Sequence, residues 1–174
     1  MFSIIIPTFN NFKYLKLCLH SIKKNSLKNH EIIVHVNNGS DGTLDFVKEN
    51  DLKYTFSDKN IGLCSAINSA SKLTTSNYIL YSHDDMYFCP KWDHYLLDEI
   101  DKIGHDNFYF SGTMIEPHSG HIKFNCGENI EFFNEKKLLD NYKNINFYDH
   151  QGTHFAPHLV SKHMWDEVGG FSEE

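Results

Sequence analysis

Long apolar runs and a leader pattern are both missing from this sequence. No stretch approaches the roughly 18 to 20 consecutive apolar residues that a membrane-spanning helix needs. The opening, MFSIIIPTFN, carries neither a basic start nor a small-residue cleavage site, so it does not indicate a signal peptide. These absences predict a soluble, cytoplasmic protein without a transmembrane segment.

Paired cysteines and an excess of positive charge are missing as well. The four cysteines stand singly, without the C-x-x-C spacing that zinc knuckles and redox motifs use. The 16 lysines and arginines are outnumbered by 23 aspartates and glutamates, for a formal net charge of -7. Such a charge disfavours binding of nucleic acid through its phosphates. An anionic ligand would therefore need a metal ion or backbone amides to hold it.

Strands and helices alternate through the first half of the chain. Residues 2–7 form a short apolar run ended by Pro-Thr, which is typical of a strand buried on both faces. A helix follows, with Asn10 and Asn11 as its predicted cap. Further strands are predicted at 31–36, 52–56 and 78–81, and further helices at 43–49 and 62–73. This alternation predicts an α/β fold with a doubly wound, mostly parallel sheet flanked by helices.

The pattern changes after Pro90, where strands at 108–115 and 121–124 around a His118-Ser119-Gly120 turn predict a small β-hairpin region. Helices are predicted at 92–103, 134–142 and 161–168, with a strand near 146–148 and a further segment of no assigned type at 153–160. No repeat, low-complexity tract or linker divides the 174 residues, of which 40% are hydrophobic. We therefore expect one domain with one core.

Polar residues follow the predicted strands where each one ends, near Thr8, Asn37 and Asp84. Ligands of open α/β sheets bind beyond the carboxyl ends of the strands, so these positions are expected to share a site. Asp84 and Asp85 come directly after a buried strand, and paired carboxylates there suit Mg²⁺ or Mn²⁺ bound to phosphates. A solvated turn or a helix cap is the alternative interpretation of the two aspartates.

Two loops have a functional and a purely structural interpretation. In Asn37-Asn38-Gly39-Ser40-Asp41-Gly42, the Asn37 oxygen is positioned to accept the imide proton of a uracil, with Ser40 and the glycine backbone allowing close approach. The same residues are explained by turn chemistry alone. Asn60-Ile61-Gly62 either presents backbone amides to a nucleotide or only caps the next helix.

Five segments resemble, in order and spacing, the landmarks of family 2 glycosyltransferases. They are SIIIPTFN, VNNGSDGT, NIGLCSAINSA, YILYSHDDMYFCPKW and MWDEVGGFSEE, and together they span nearly the whole chain. The resemblance implies a GT-A fold, with a nucleotide-sugar-binding half at 1–90 and the start of an acceptor-binding half at 91–174. It also implies inverting transfer from a nucleotide-sugar donor, most simply a UDP-sugar with GDP or dTDP open, to a glycan or lipid-linked acceptor.

The resemblance also implies the site residues. A D-x-D-like element holds Mn²⁺ or Mg²⁺ on the donor diphosphate, with Asp85 as the metal ligand and His83 where the first aspartate of the motif would stand. Apart from the resemblance, His154 is a second candidate for a metal ligand or phosphate contact, because neutral imidazole suits manganese, and His158 is a weaker one. A surface or hydrogen-bonded core histidine is the alternative for both. The residues implied in donor binding are Pro7, Thr8, Phe9, Asn37, Asn38, Ser40, Asn60, Gly62, His83 and Asp84. Asn37 replaces an acidic residue, which weakens the case for uracil.

The general base is the missing part. In relatives it is an acidic residue beyond the GGF segment, and this sequence stops at GGFSEE. Three hypotheses follow: the chain is truncated, Glu173 or Asp166 serves as base, or the chain is a degenerate nucleotide-sugar-binding or scaffolding domain without transfer. A nucleotidyltransferase should carry a glycine-rich basic loop after the first strand, and PTFNNFKYLK has none. Trp165 is expected either to stack on a sugar or to lie in the core.

Overall fold

The computed structural model describes residues 1–118, 120–145 and 155–173. Its strands are β1 Ser3–Phe9, β2 Glu31–Asn37, β3 Lys53–Ser57, β4 Tyr78–Tyr81, β5 Tyr109–Ser111, β6 Ile115–Glu116, β7 Ile122–Lys123 and β8 His158–Ser161. Its helices are α1 Phe12–Asn25, α2 Thr43–Glu49, α3 Leu63–Ser71, α4 Trp92–Ile103, α5 Glu135–Asn141 and α6 Lys162–Val168. A single 3₁₀ turn, Tyr142–Asn144, follows α5.

A mostly parallel sheet forms the centre of the described part, with strand order β3-β2-β1-β4-β8-β5. The strands β1 to β4 run parallel to one another, and β8 lies antiparallel between β4 and β5. Strand β1 is buried from Ser3 to Thr8, as expected for a central strand covered on both faces. The predicted α/β class with a parallel sheet flanked by helices is confirmed.

The alternation of side chains along β1 divides the core into two layers. Ile4 and Ile6 pack on the face covered by α1, α2 and α4, whereas Ile5 packs on the face covered by α3 and α6. Successive residues of a strand point to opposite sides of a sheet, so one run of isoleucines serves both layers. Both helical layers therefore depend on the same central strand.

The second half departs from the predicted hairpin. The single strand expected at 108–115 is divided into β5 and β6. Directly after β5, the Gly112 N–H donates to the Pro157 carbonyl at 3.0 Å. The first part, β5, joins the main sheet through β8. The second part, β6, pairs in parallel with β7, and the antiparallel contact is limited to an Ile115–Gly120 bridge. The expected strand at 146–148 and the start of the 153–160 segment lie outside the described residues.

Other local expectations are met with small shifts. Ser161 caps α6 by accepting a hydrogen bond from the Met164 N–H at 3.1 Å. Asn11 occupies the N-cap position of α1, but its side chain does not cap; the Asp41 carboxylate accepts from the Phe12 N–H at 2.8 Å instead. Across the described ranges, no helix is both long and apolar enough to cross a membrane.

Candidate functional site

A cleft of about 380 Å³ opens at the carboxyl ends of β1, β2 and β4, beside the start of α3. We call it the strand-end cleft. Its lining comprises Pro7, Thr8, Phe9, Asn10, Asn11, Asn37, Asn60, Gly62, Leu63, His83, Asp84 and Asp85. The parallel sheet brings these residues together because the loops after β1, β2, β3 and β4 all leave from one edge.

Asp84 is the more enclosed of the two aspartates in the cleft. Its Oδ1 accepts a hydrogen bond from the Asn11 amide at 2.9 Å. Burial raises the pKa of Asp84 and the adjacent charge of Asp85 adds to this, whereas the hydrogen bond from Asn11 opposes it. The surroundings therefore orient this carboxylate while making its negative charge costly, a cost that a bound cation would relieve.

Asp85 projects into solvent at the rim of the cleft, with its side chain 56% exposed. His83 lies beside it, with Nδ1 at 4.0 Å from Asp85 Oδ1, and the His83 ring lies 5.4 Å from the Tyr81 ring. The structure thus places His83, Asp84 and Asp85 in one cleft, with Asp85 the most accessible carboxylate.

The donor set of the cleft fits a hard divalent cation that is shared with a phosphate ligand. Carboxylate oxygens suit Mg²⁺ and Mn²⁺, and Mg²⁺ is commonly bound by one or two carboxylates plus substrate phosphates. Over the described ranges, no group of three or more His, Cys, Asp and Glu side chains is arranged to hold a metal by itself. His154, the second candidate ligand, lies outside the described residues.

His158 has a different environment from the one expected. It is buried in β8, outside the cleft lining, and its ring is stacked between Tyr81 and Tyr109 at centroid distances of 5.7 and 5.1 Å. The structure therefore corrects the interpretation of His158 as a metal ligand or phosphate contact in this cleft.

Asn37 lines the cleft, but its side-chain oxygen is already occupied. Oδ1 accepts from the Ile61 N–H at 3.0 Å and lies 3.0 Å from the Ser57 hydroxyl, while the whole residue is only 4% exposed. The Ile61 N–H occupies one of the two acceptor positions of this oxygen, and the Ser57 hydroxyl lies against it as well. This environment disfavours the oxygen as the acceptor of an imide proton, while the role of Asn37 in donor binding stays a prediction.

Asn38 and Ser40 lie outside the cleft lining, and their predicted contact with the nucleotide stays a prediction. The Asn38 Oδ1 accepts from the Ser40 N–H at 3.1 Å, and Asn38 has a φ of +65°, as in a tight turn. Asn60 and Gly62 do line the cleft. The Asn60 Oδ1 accepts from the Gly62 N–H at 2.9 Å immediately before α3, so the capping interpretation also applies there.

Glu173 does not line the cleft, and its carboxylate is fixed to α3. Oε1 accepts from the Asn68 amide and Oε2 from the Ser65 hydroxyl, both at 2.8 Å. The hydrogen bond from Asn68, which has the larger effect, and the one from Ser65 lower the pKa of Glu173. Glu173 is therefore a weaker proton acceptor. The geometry disfavours Glu173 as the general base. Asp166 is likewise paired with Lys162 at 2.7 Å on α6, away from the cleft.

Trp165 belongs to the core. It is 7% exposed, packs in the layer of α3 and α6, and meets the Phe171 ring edge-on at 5.2 Å. Sequence reasoning missed three residues of the cleft: Asn10, Asn11 and Leu63. The two asparagines were assigned to capping, although their position directly after the first strand pointed equally to the site. Leu63 is 49% exposed at the start of α3, and no sequence pattern indicates that this leucine is exposed to the cleft.

Comparison with known proteins gives a consistent result. The model of the family described as glycosyl transferase family 2 matches residues 3–159. A protein of Rickettsia typhi, named as an uncharacterized glycosyltransferase, is 27% identical over 98% of this chain and 53% of its own length. The chain therefore spans about half the length of this curated relative.

Solved structures show the same fold. S. aureus TarS 1-349 aligns with a TM-score of 0.71 and 20% identity over 99% of this chain and 50% of its own. The complex of that protein with UDP-GlcNAc gives 0.69 at 17% identity, over 97% and 47%. The mannosyltransferase PcManGT from Pyrobaculum calidifontis, in complex with GDP-Man and Mn²⁺, gives 0.67 at 17% identity, over 99% and 48%.

Proposed function

Because the chain belongs to glycosyl transferase family 2 and has the GT-A fold, we propose that it binds a nucleotide-sugar donor in the strand-end cleft. The proposal includes metal-dependent transfer of the sugar, with inversion, to a hydroxyl of a glycan or lipid-linked acceptor. The observation that carries it is the convergence of Asp84 and Asp85 with the start of α3 in one cleft at the carboxyl ends of parallel strands.

Each part of the cleft suits one part of such a donor. Asp85, with Asp84 behind it, would hold Mn²⁺ or Mg²⁺, which supplies the charge that stabilises a departing diphosphate. The first turn of α3 after Gly62 presents backbone N–H groups, and a helix start favours anions. Pro7, Phe9 and Leu63 give the cleft apolar surface for a nucleoside. The complexes of TarS with UDP-GlcNAc and of PcManGT with GDP-Man and Mn²⁺ support this assignment.

A second candidate is a domain that binds the donor without transferring it. Inverting transfer needs a base that deprotonates the acceptor hydroxyl. Of the described residues, the carboxylates that line the cleft are Asp84 and Asp85, and a metal would occupy them. Glu173 is held by Asn68 and Ser65 instead. This observation favours donor binding as the function of these 174 residues, with the base supplied by another segment.

Thermal shift with UDP-, GDP- and dTDP-sugars, with and without MnCl₂, tests the proposal. We expect stabilisation that needs both the nucleotide and the metal, of about 2.7 kcal/mol when the ligand is at 100 times its Kd. Asp85→Asn should abolish it, whereas Asp101→Asn, on the exposed side of α4, should leave it intact. Stabilisation that persists unchanged in Asp85→Asn would contradict the metal assignment.

Transfer is measured separately, as acceptor-dependent release of nucleoside diphosphate. Release that follows metal-dependent binding supports the enzyme, and binding without release supports the second candidate. Absence of binding by all of these nucleotide sugars and by CDP, with and without MnCl₂, would contradict both.

A further inference from the structure

The orientation of the Asn37 amide is determined by its surroundings. The Ile61 backbone N–H can only donate, so the Asn37 atom 3.0 Å from it must be the oxygen. The Ser57 hydroxyl lies 3.0 Å from the same oxygen. Turning the amide over would set its NH₂ group against the Ile61 N–H, donor against donor. The oxygen is therefore committed to the loop and the nitrogen to the other side.

The loop that holds this oxygen is itself fixed from below. The Ser57 hydroxyl also lies 2.7 Å from the Lys59 carbonyl and 3.3 Å from Nε2 of His35, a fully buried residue. The other ring nitrogen of His35 lies 2.7 Å from the Thr55 hydroxyl. This chain of polar contacts ties the ends of β2 and β3 together beneath the cleft. It leaves the Asn37 oxygen no freedom to turn toward a ligand.

The amide nitrogen is the polar atom that Asn37 retains for the strand-end cleft. It carries two hydrogens, and none of the residues described accepts a hydrogen bond from it. A base that approaches this position meets a donor. An imide N–H, as in uracil, would oppose that donor, whereas a ring nitrogen with a lone pair beside a carbonyl, as N3 and O2 of cytosine, would accept from it.

On the basis of the proposed function, we propose that Asn37 is a specificity-determining hydrogen-bond donor and that the cleft prefers a cytosine-type base to a uracil-type base. A buried donor that faces another donor loses its hydrogen bond to water without replacement, and such mismatches discriminate strongly between substrates.

Isothermal titration calorimetry with CDP and UDP, each in the presence of MnCl₂, tests this inference. We expect the wild-type chain to bind CDP at least as tightly as UDP. In Asn37→Asp, one carboxylate oxygen keeps the Ile61 N–H and the other faces the cleft as an acceptor. This variant should prefer UDP over CDP by about tenfold or more, the typical effect of one matched hydrogen bond in place of a mismatch.

Asn29→Asp is the control, because it adds the same charge at an exposed position outside the cleft lining. It should keep the wild-type ratio of the two affinities. A wild-type preference of about tenfold or more for UDP, left unchanged by Asn37→Asp, overturns the inference while nucleotide binding stands. Failure of CDP and UDP to bind while GDP or dTDP binds with Mn²⁺ overturns this inference alone, and failure of all four nucleotides overturns the proposed function with it.

Discussion

His30 is held in its neutral form by two hydrogen bonds of opposite direction. The Phe2 N–H donates to Nδ1 at 3.1 Å, so that nitrogen carries no proton, and Nε2 lies 3.1 Å from Oδ2 of the buried Asp93. The ring stacks on Phe2 at 5.1 Å. Burial lowers the pKa of His30 despite the opposing effect of Asp93. Protonation at Nδ1 would break the hydrogen bond from the N–H of Phe2, the residue directly before β1.

Stability should therefore decrease as the pH falls through the titration of the unfolded histidine, whose ordinary pKa is 6.5. The unfolded chain then binds a proton that the folded chain refuses. We predict that the free energy of unfolding by urea falls less between about pH 7.5 and pH 5.5 in His30→Gln than in the wild type. His105→Gln, at an exposed loop position, should keep the wild-type dependence. Equal dependence in His30→Gln and wild type would contradict the assignment.

The predictability of site residues depends on how local their causes are. Thr8 and Asp84 were predicted because each follows a buried strand, and strand ends converge in a parallel sheet. The orientation of the Asn37 amide was not predicted, because it is set by the N–H of Ile61, 24 positions away. The same applies to Glu173, whose partner Asn68 is 105 positions distant. Residue type indicates what an atom can do, and only the fold determines which partner reaches it first.

Two side chains of α3, Asn68 and Ser65, hold the double-glycine segment, residues 169–173, and Asn68 makes most of the contacts. Asn68 accepts from the Phe171 N–H at 2.9 Å and donates to the Phe171 carbonyl at 2.8 Å, as a neighbouring strand would. Gly170 has a φ of +86°, and a Cβ there would lie 2.6 Å from Asn68 Oδ1. Gly169 also has a positive φ, +80°, but a Cβ there would meet nothing within 4 Å. The two glycines thus share the backbone requirement and differ in the space around them.

Gly170→Ala should accordingly destabilise the protein more than Gly169→Ala. We expect about 1 kcal/mol for Gly169→Ala, from the left-handed backbone alone. For Gly170→Ala we expect about 2 to 4 kcal/mol, because Asn68 must also move and lose hydrogen bonds. Urea unfolding at neutral pH measures both values. Equal losses would show that the contact with Asn68 does not hold the segment.

Elements with strong local patterns were predicted to the residue. The helices at 43–49 and 92–103 and the strand at 78–81 begin and end where the apolar periodicity does. Strand β8 was harder, because its antiparallel place between β4 and β5 depends on pairing with residues about 50 to 80 positions earlier in the chain. The division of the predicted 108–115 strand has the same origin, since β5 ends opposite His158, where its antiparallel partner β8 begins.

At the scale of the whole molecule, residues from beyond position 90 complete both layers of the core. Trp92, Leu96 and Ile100 of α4 cover one face of the sheet together with α1 and α2. Trp165 of α6 covers the other face together with α3. Strand β8 pairs with the edge of β4 through all four of its residues, Tyr78 to Tyr81. The cleft is formed by residues 7–85, whereas the sheet that supports it also includes β5 and β8 from beyond position 90.

A fragment of residues 1–90 should therefore fail to fold although it contains every residue of the strand-end cleft. It would leave β4 as an unpaired apolar edge and expose the isoleucines that α4 and α6 cover, at about 25 cal/mol for each Å² of apolar surface returned to water. Far-UV circular dichroism during urea unfolding should show no cooperative transition, and MnCl₂ with nucleotide should not restore one. The 174-residue chain under the same conditions should unfold cooperatively. A reversible, cooperative transition in the fragment would show instead that the nucleotide-binding half folds on its own, with α4, β8 and α6 added to an already complete core.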